Sequence, residues 1–212
     1  MKLYWVKTNW LIKKLFPNFI WSMDAGDKKV YLTFDDGPIP EVTDFVLGEL
    51  KKYNAKATFF CIGDNIRKNP EIFRKILDAG HAIGNHTFNH LNGWKTGEAD
   101  YLDNIRLCQN EINALTEDQS RLMRPPYAKV TSAQSRKIRQ MGYRIVMWDV
   151  LSADFDVTIT PEKCLSNVVN NIGPGSIVIF HDSEKAYKNL RHALPKTLEF
   201  LKNQGYSCEA LG

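Results

Sequence analysis

The sequence predicts an α/β fold with a mostly parallel sheet, and two observations support this prediction. Runs rich in β-branched and aromatic residues alternate along the 212-residue chain with amphipathic runs of helical period. Glycine follows the end of four helical runs, as it commonly does after a helix C-terminus. Strands that alternate with helices imply crossover connections between parallel strands. The pattern leaves two arrangements open, a doubly wound sheet and a barrel.

The predicted elements follow one another in a regular order. The seven predicted strands cover residues 30–34, 57–62, 81–85, 121–125, 143–148, 176–180 and 206–210. The six predicted helices cover residues 41–53, 70–79, 98–115, 132–141, 161–172 and about 190–204. In the last helix, Pro195 either bends the helix or marks its start. In either arrangement of the sheet, functional side chains should gather at the carboxyl ends of the strands.

The composition is that of an ordinary globular chain. Hydrophobic residues make up 43% of the sequence and charged residues 25%, and the length suits one domain. The net charge of +4 is modest and spread along the chain, so it does not indicate nucleic-acid binding. The sequence leaves the oligomeric state open.

Residues 1–28 precede the regular alternation and are predicted to be an extension packed on the domain formed by residues 29–212. A short helix before Pro17 is predicted to place one apolar face against the domain, with membrane-surface binding as the alternative. That face comprises Trp10, Leu11, Leu15 and Phe16. Lysines interrupt the segment, so no transmembrane segment is predicted, and no clean signal peptide is visible. The expected location is therefore cytoplasmic, or exported by an unrecognised route.

Residues suited to catalysis or metal binding follow five of the predicted strands. These residues are Asp35, Asp36, His86, His90, Arg124, Tyr127, Asp149, Asp154, Asp156, His181 and Asp182. His86 and His90 have the i, i+4 spacing that places two imidazoles on one face of a helical turn. That spacing alone is weak evidence, because it arises often by chance. Two histidines and one carboxylate from another strand end would together hold a divalent metal ion and leave positions open for water.

Asp35 and Asp36 are adjacent carboxylates at the end of the first predicted strand. One would ligate the metal ion, and the other would stay free to take a proton from water. Leaving the strand at Gly37 would let both side chains reach one site. The alternative is that the stretch forms a simple Asp-Asp-Gly turn.

Three further strand ends suggest supporting roles. His181 ends an apolar strand, where a core histidine is the ordinary interpretation, but a hydrogen bond to Asp154 would keep it protonated as a general acid. Arg124 is suited to pairing with a carboxylate, with a surface arginine as the alternative. Pro125 and the proline after it stiffen the loop, so the N–H of Tyr127 would face an oxyanion.

Five motifs in this order resemble the polysaccharide deacetylase domain of carbohydrate esterase family four, the NodB-homology domain. They are TFDDGP (33–38), HTFNH (86–90), RPPYA (124–128), SADF (152–155) and IFH (179–181). The resemblance extends from about residue 29 to residue 210. It implies a distorted, incomplete (β/α) barrel of about seven parallel strands, with the active site at the C-terminal rim.

The resemblance also implies a role for each matched residue. Asp35 would be the general base and Arg124 would orient it, while His181 would be the general acid, tuned by Asp154. The metal ligands would be Asp36, His86 and His90, with zinc as the expected metal. The residues that would contact substrate or oxyanion are Tyr127, Pro125, Phe155 and Ile179, with Ile179 lining the pocket for the acetyl methyl group.

Three residues depart from the pattern of the family. Phe155 stands where tryptophan is usual, Leu151 where an acidic residue is frequent, and Ala128 where glycine is common. These changes bear on the substrate pocket more than on the metal ligands.

The function that the resemblance implies is metal-dependent removal of acetyl groups from N-acetylated sugars of the chitin or peptidoglycan type, giving acetate and a free amine. One alternative is an O-acetyl esterase acting on xylan-type polysaccharide, and another is a non-catalytic carbohydrate-binding domain. Two histidines and a carboxylate would also suit an iron oxygenase, but RPPYA and IFH argue against that class. The expected partner is an N-acetylated glycan or oligosaccharide that serves as the substrate.

Overall fold

The computed structural model describes residues 4–117 and 121–212, so the first three residues of the predicted extension lie outside the described residues. Eight strands are present in this part of the chain: β1 Lys29–Asp35, β2 Ala57–Cys61, β3 Ala82–Asn85, β4 Leu122–Met123, β5 Arg144–Ile145, β6 Val150–Leu151, β7 Ile177–His181 and β8 Ser207–Cys208. The α-helices in the same residues are α1 Trp10–Leu15, α2 Val42–Lys52, α3 Gly63–Lys68, α4 Pro70–Asp78, α5 Glu98–Asn113, α6 Ser132–Gln140, α7 Pro161–Val169 and α8 Tyr187–Asn203.

The strands form one parallel sheet in the order β5-β4-β3-β2-β1-β7-β6, and β8 pairs with the start of β1. The sheet is strongly curled but does not close, because β5 and β6 lie at its two edges. The prediction of a distorted, incomplete barrel with about seven parallel strands is therefore confirmed. Parallel pairing brings the carboxyl ends of all these strands to one rim.

The core explains why the central strands are apolar on both faces. Every residue of β2 is buried, and β1 and β7 are buried along most of their length. The rings of Phe34, Phe59 and Phe180 stack across these three strands, with centroids 5.1 and 6.0 Å apart. Helices cover the outer face of such a sheet, so both faces of each strand contact protein rather than water. This packing gives the side chains at the strand ends fixed neighbours.

The N-terminal segment, residues 4–28, lies along the two open edges of the sheet. The amide of Ile20 donates to the carbonyl of Ile145 in β5, and the amide of Leu151 in β6 donates to the carbonyl of Val6. Only residues 146–149 separate β5 from β6, so the two edges must come close together. The segment thus satisfies backbone groups that open sheet edges would otherwise leave unpaired.

Asp149 anchors the N-terminal segment by ion pairs. Its two carboxylate oxygens lie 2.5 Å from Nζ of Lys7 and 2.6 Å from Nζ of Lys13, and the hydroxyl of Ser176 donates to it as well. Burial alone would raise the pKa of Asp149, but these three donors hold that pKa below its usual value. Asp149 is therefore engaged with the segment.

Several elements differ from the prediction. The strand β6 and the helix α3 were not predicted, because β6 has only two residues and α3 is short, polar and begins with glycine. The strands β4 and β5 are shorter than predicted, and α8 begins at Tyr187 and contains Pro195 in its interior. Of the helices that the structure describes, none is both long enough and apolar enough to cross a bilayer.

Candidate active site and metal centre

The two adjacent carboxylates lie at the end of β1 and reach the same side of the rim. Asp35 is the last residue of the strand, and Asp36 has a positive φ of 85°. The chain thus leaves the extended conformation at Asp36 itself, one residue before the predicted departure at Gly37. Because the pleat ends there, Oδ2 of Asp35 and Oδ1 of Asp36 lie 3.8 and 3.7 Å from Nε2 of His86. The prediction that both carboxylates face one site agrees with this geometry.

The loop after β1 is held by Asp182, the residue after β7. Its Oδ1 accepts a hydrogen bond from the amide of Gly37 at 3.0 Å, and its Oδ2 accepts one from the hydroxyl of Thr43 at 2.6 Å. A Cβ at position 37 would lie 1.9 Å from Oδ2 of Asp182, so any larger residue there would have to displace this buried carboxylate. Burial raises the pKa of Asp182 to about 8, although the bonds from Thr43 and Gly37 oppose the rise.

The two histidines lie on an irregular loop after β3, so the predicted helical turn is wrong. Thr87 and His90 both have positive φ, at 62° and 54°. The side-chain oxygen of Asn104 on α5 accepts hydrogen bonds from the amides of residues 88 and 89, each at 2.8 Å. Even so, the imidazole centroids of His86 and His90 are 5.0 Å apart. The loop brings the two rings as close as a helical turn would, but it is held by hydrogen bonds that its amides donate to the Asn104 side chain on α5.

Asp36, His86 and His90 form a cluster of three potential metal ligands. One ligand atom from each lies within 4.8 Å of the others. Oδ1 of Asp36 is 3.2 Å from Nε2 of His90 and 3.7 Å from Nε2 of His86. Ligand atoms about 2.1 Å from one tetrahedral zinc ion lie about 3.4 Å apart, so these separations suit a metal ion.

The protonation state of His86 strengthens this interpretation. Its Nδ1 lies 2.7 Å from the carbonyl oxygen of Arg124, so Nδ1 carries the proton and Nε2 presents a lone pair. Burial, and then the neighbouring His90, lower the pKa of His86 to about 3, which keeps the ring neutral. Oδ1 of Asp36 is buried and has no hydrogen-bond partner among the described residues. Lone pairs that converge in this way repel one another unless a cation lies between them, so the residues fit a metal ion.

Arg124 is fully buried and fixes the position of Asp35. Its Nη1 donates to Oδ1 of Asp35 and to the hydroxyl of Thr33, both at 2.7 Å. Its Nη2 donates to the carbonyl of Met147 at 2.8 Å, and the guanidinium carbon lies 4.1 Å from the centroid of the Phe60 ring. These contacts leave Oδ2 of Asp35 as the oxygen that faces the histidines.

His181 is at the end of β7 and pairs in register with Asp35 on β1. Its Nδ1 lies 2.8 Å from Oδ1 of Asp154, and its amide donates to Oδ2 of the same carboxylate at 2.7 Å. Burial alone would lower the pKa of His181, but Asp154 overcomes this effect and raises it to about 9. The ring is thus protonated at neutral pH, and its Nε2 can donate.

The residues expected to contact substrate lie around these groups. Pro125 is buried, whereas Tyr127 is 59% exposed and has a positive φ of 59°. The ring of Tyr127 is 4.5 Å from that of His90, and the ring of Phe155 is 5.0 Å from that of His181. Ile179 is buried on β7 in a small apolar cluster with Phe155.

Comparison with known proteins gives the family. A family model described as "Polysaccharide deacetylase" matches residues 22–146, a stretch that contains Asp35, Asp36, His86, His90 and Arg124. The chain belongs to the polysaccharide deacetylase family. This confirms the resemblance drawn from the five motifs and the predicted enzyme class, a hydrolase of carbon–nitrogen bonds other than peptide bonds. The Asp36, His86 and His90 cluster agrees with the metal dependence of that class.

Three similar proteins illustrate the range of this polysaccharide deacetylase family. A peptidoglycan-N-acetylglucosamine deacetylase of Bacillus cereus is 35% identical over 92% of this chain and 93% of its own length. A solved peptidoglycan N-acetylglucosamine deacetylase, in complex with a naphthalenyl N-hydroxybenzamide, is 32% identical and covers 96% of this chain and 95% of its own, with a TM-score of 0.88. A solved mutant of a CE4-family pseudoenzyme from Bacillus anthracis, with restored enzymatic activity, is 29% identical and covers 91% of this chain and 69% of its own, with a TM-score of 0.82.

The structure also identifies residues to which the sequence assigned no role. Asp182 had been noted at its strand end, but its bonds to Gly37 and Thr43 appear only in three dimensions. Tyr4 and Trp148 pack with Ile179 and Phe155 beside the site. No sequence signal marks Tyr4, because it approaches from the N-terminal segment, far from any motif.

Proposed function

We propose that this polysaccharide deacetylase hydrolyses the acetyl amide of N-acetylglucosamine units in a peptidoglycan-type glycan, and that Asp36, His86 and His90 hold a zinc ion. The observation that supports it most is the placement of a carboxylate and an imidazole, each held by its own partner, at one rim. Asp35, bonded by Arg124, and His181, bonded by Asp154, end neighbouring strands beside the ligand cluster. The names of the similar proteins support the choice of glycan.

In this proposal Asp35 is the general base. Arg124 occupies Oδ1 and leaves Oδ2 toward the rim, 3.8 Å from His86. Oδ2 takes a proton from the water that attacks the acetyl carbon. A bound divalent cation would polarise the acetyl carbonyl and lower the pKa of that water. General base catalysis of this kind contributes about 10²–10⁴-fold.

His181 is the general acid in the same scheme. Its Nδ1 is held by Asp154, and the raised pKa keeps Nε2 protonated near neutral pH. As the carbon–nitrogen bond breaks, Nε2 gives its proton to the leaving amine, so water and amide yield acetate and a free amino sugar. The edge-to-face contact with the Phe155 ring helps to hold the imidazole in place.

The remaining residues orient the acetyl group. The backbone N–H of Tyr127 would face the charge that develops on the carbonyl oxygen, on a loop stiffened by Pro125. Ile179 and Phe155 would form the apolar wall against the acetyl methyl group. These roles depend on the left-handed turn at Tyr127 and on the apolar cluster around Ile179.

Acetate release from a panel of glycans tests this proposal. The purified protein is incubated with chitooligosaccharides, peptidoglycan and acetylated xylan, before and after treatment with a chelator, and then with zinc added back. We expect release from N-acetylated glycans, loss of it with the chelator and recovery with zinc. Release from acetylated xylan alone would show an O-acetyl esterase, and no release from any of them would show a non-catalytic domain.

A further inference from the structure

A concave groove of about 890 Å³ lies between the N-terminal segment and the start of α6. We call it the aromatic groove and define it by Trp5, Phe16, Trp94, Lys129, Arg136 and Arg139, which line it with their neighbours. Its volume falls within the range of pockets that bind small molecules, about 300–1,000 Å³. None of the roles assigned above to the metal ligands, the base or the acid involves these six residues.

Residues that line the groove adjoin the active site at two places. Tyr4 lines it and lies 5.9 Å, ring to ring, from Phe155, which in turn contacts His181. On the other side, Ala128 lines the groove and directly follows Tyr127, the residue against His90. The groove therefore lies next to the active site, where a chain-like ligand with one unit in the site has its neighbouring units.

The charge of the lining selects the sign of the ligand. Lys129, Arg136 and Arg139 line the groove, and none of its lining residues is an aspartate or a glutamate. Arg136 and Arg139 are exposed, and neither forms an ion pair within the part of the chain that the structure describes. Two unpaired guanidinium groups favour a ligand with carboxylates, which arginine binds in a bidentate manner.

The aromatic residues select the shape of the ligand. Trp5 and Trp94 are 60% and 63% exposed, an unusual state for large apolar side chains. The indole of Trp94 is also held in place, since its Nε1 donates to the carbonyl of Val130 and Nζ of Lys129 lies 3.6 Å from its ring centroid. Flat apolar surfaces of this kind suit the C–H faces of sugar rings, while the hydroxyl edges of the sugars stay in water.

We propose that the aromatic groove binds the part of a carboxylate-bearing glycan strand that extends beyond the sugar being deacetylated. The inference builds on the proposed function and assigns residues to recognition of an anionic strand rather than neutral chitin. A flat anionic lipid surface fits the groove less well, because the groove is concave. The exposed residues Trp10 and Leu11, which a bilayer would meet, lie outside its lining.

Binding is measured with the Asp35→Asn variant, so that the strand is not converted during the experiment. The ligands are purified peptidoglycan glycan strands and the same strands with their carboxylates converted to amides. We expect R136Q/R139Q in this background to bind the carboxylate strands about tenfold more weakly, a loss that two exposed ion pairs can supply. The amidated strands should bind weakly to both proteins. Added salt should weaken the binding of the carboxylate strands and leave the binding of the amidated strands unchanged.

Matched variants separate the groove from the rest of the surface. R74Q/R191Q changes two exposed arginines outside the groove and should leave strand binding unchanged. Trp5→Ala should weaken binding of both kinds of strand, whereas Trp10→Ala, 68% exposed and outside the groove, should not. The proposal would be overturned if R136Q/R139Q bound the carboxylate strands as tightly as its parent does. It would also be overturned if the parent bound amidated and carboxylate strands with equal affinity.

A vesicle assay tests whether the aromatic groove binds an anionic lipid surface instead of a glycan strand. Vesicles of phosphatidylglycerol and phosphatidylcholine are sedimented with the wild-type protein and with R136Q/R139Q. We expect no difference between the two proteins. Vesicle binding that depends on both arginines, with strand binding intact, would assign the groove to a lipid surface. The binding assays need no turnover, so they test the groove independently of the proposed function. Absence of acetate release would refute the proposed function alone.

Discussion

Arg124 and Asp35 stand 89 positions apart in the chain and form a hydrogen-bonded ion pair of 2.7 Å with both side chains buried. The pair fixes one oxygen of the carboxylate and leaves the other toward the ligand cluster. Desolvation makes such a pair costly to form, and removal of one partner leaves an uncompensated charge. Asp35 therefore depends on Arg124 for its stability as well as for its orientation.

Replacement of Arg124 should destabilise the fold strongly. We expect Arg124→Met to lower the free energy of unfolding by about 3–5 kcal/mol, because it leaves the carboxylate of Asp35 buried without a counterion. Adding Asp35→Asn should recover part of the loss, since an amide needs no counterion. Urea denaturation of the four proteins of this double-mutant cycle measures both effects. Additive losses would show that the two residues are not coupled.

The base assignment predicts a selective loss of turnover. Asp35→Asn keeps the size of the side chain but cannot accept a proton, so we expect kcat for acetate release to fall by at least about 10²-fold. The metal content of the variant should match that of the wild type. Asp78→Asn, an exposed carboxylate on α4, serves as the control and should retain activity. Near-normal turnover by Asp35→Asn would show that another group is the base.

The metal cluster predicts a loss of metal when one ligand is removed. His86→Ala should purify without the stoichiometric metal of the wild type, because two remaining ligands hold a divalent ion weakly. His192→Ala, on α8 beside Lys196 and away from the cluster, should keep its metal. Elemental analysis of the purified variants decides between these outcomes. Equal metal content in both would place the ion elsewhere.

The hydrogen bond between Asp154 and His181 predicts how the pKa of His181 responds when Asp154 is replaced. In metal-free protein we expect an imidazole pKa near 9, and in Asp154→Asn a clearly lower pKa, because the strongest contributions that oppose burial are removed. Since the folded pKa lies above the unfolded one, the stabilisation is complete below pH 6.5 and is lost as the pH rises through about 9. The stability difference between the two proteins should therefore shrink from pH 6.5 to 9. Nuclear magnetic resonance of the ring and denaturation at each pH measure it, and an unchanged pKa in the variant would refute the pairing.

Two glycine substitutions should have opposite effects on stability. Gly37→Ala places a Cβ 1.9 Å from Asp182, so we expect a loss of about 1–3 kcal/mol from overpacking. Gly48→Ala lies in α2 with no atom within 4 Å of the new Cβ, and should stabilise the fold by about 0.5–1 kcal/mol. Thermal or urea unfolding checks the pair. Equal effects would show that Asp182 moves aside without cost.

Much of the fold could be predicted from local patterns. Strands such as β2 and β7 are buried on both faces, so their residues are apolar throughout and easy to recognise. The short edge strand β6 has two residues and no periodicity, so it could not be predicted. The prediction of a helical turn at His86 was wrong for a related reason. The conformation of that loop depends on Asn104 on α5, which is distant in sequence and gives no local signal.

The sequence by itself determined which residues can do chemistry, because five ordered motifs place carboxylates, imidazoles and a guanidinium after strands. It also determined that the sheet is parallel, since strands and helices alternate. Only the tertiary structure decided how these groups divide their work. Oδ1 of Asp35 belongs to Arg124, Asp182 shapes the turn at Gly37, and the N-terminal segment lies against both edges of the barrel. Hydrogen bonds and ion pairs between residues distant in the chain make these choices, and their partners are set by strand order and curvature rather than by local pattern.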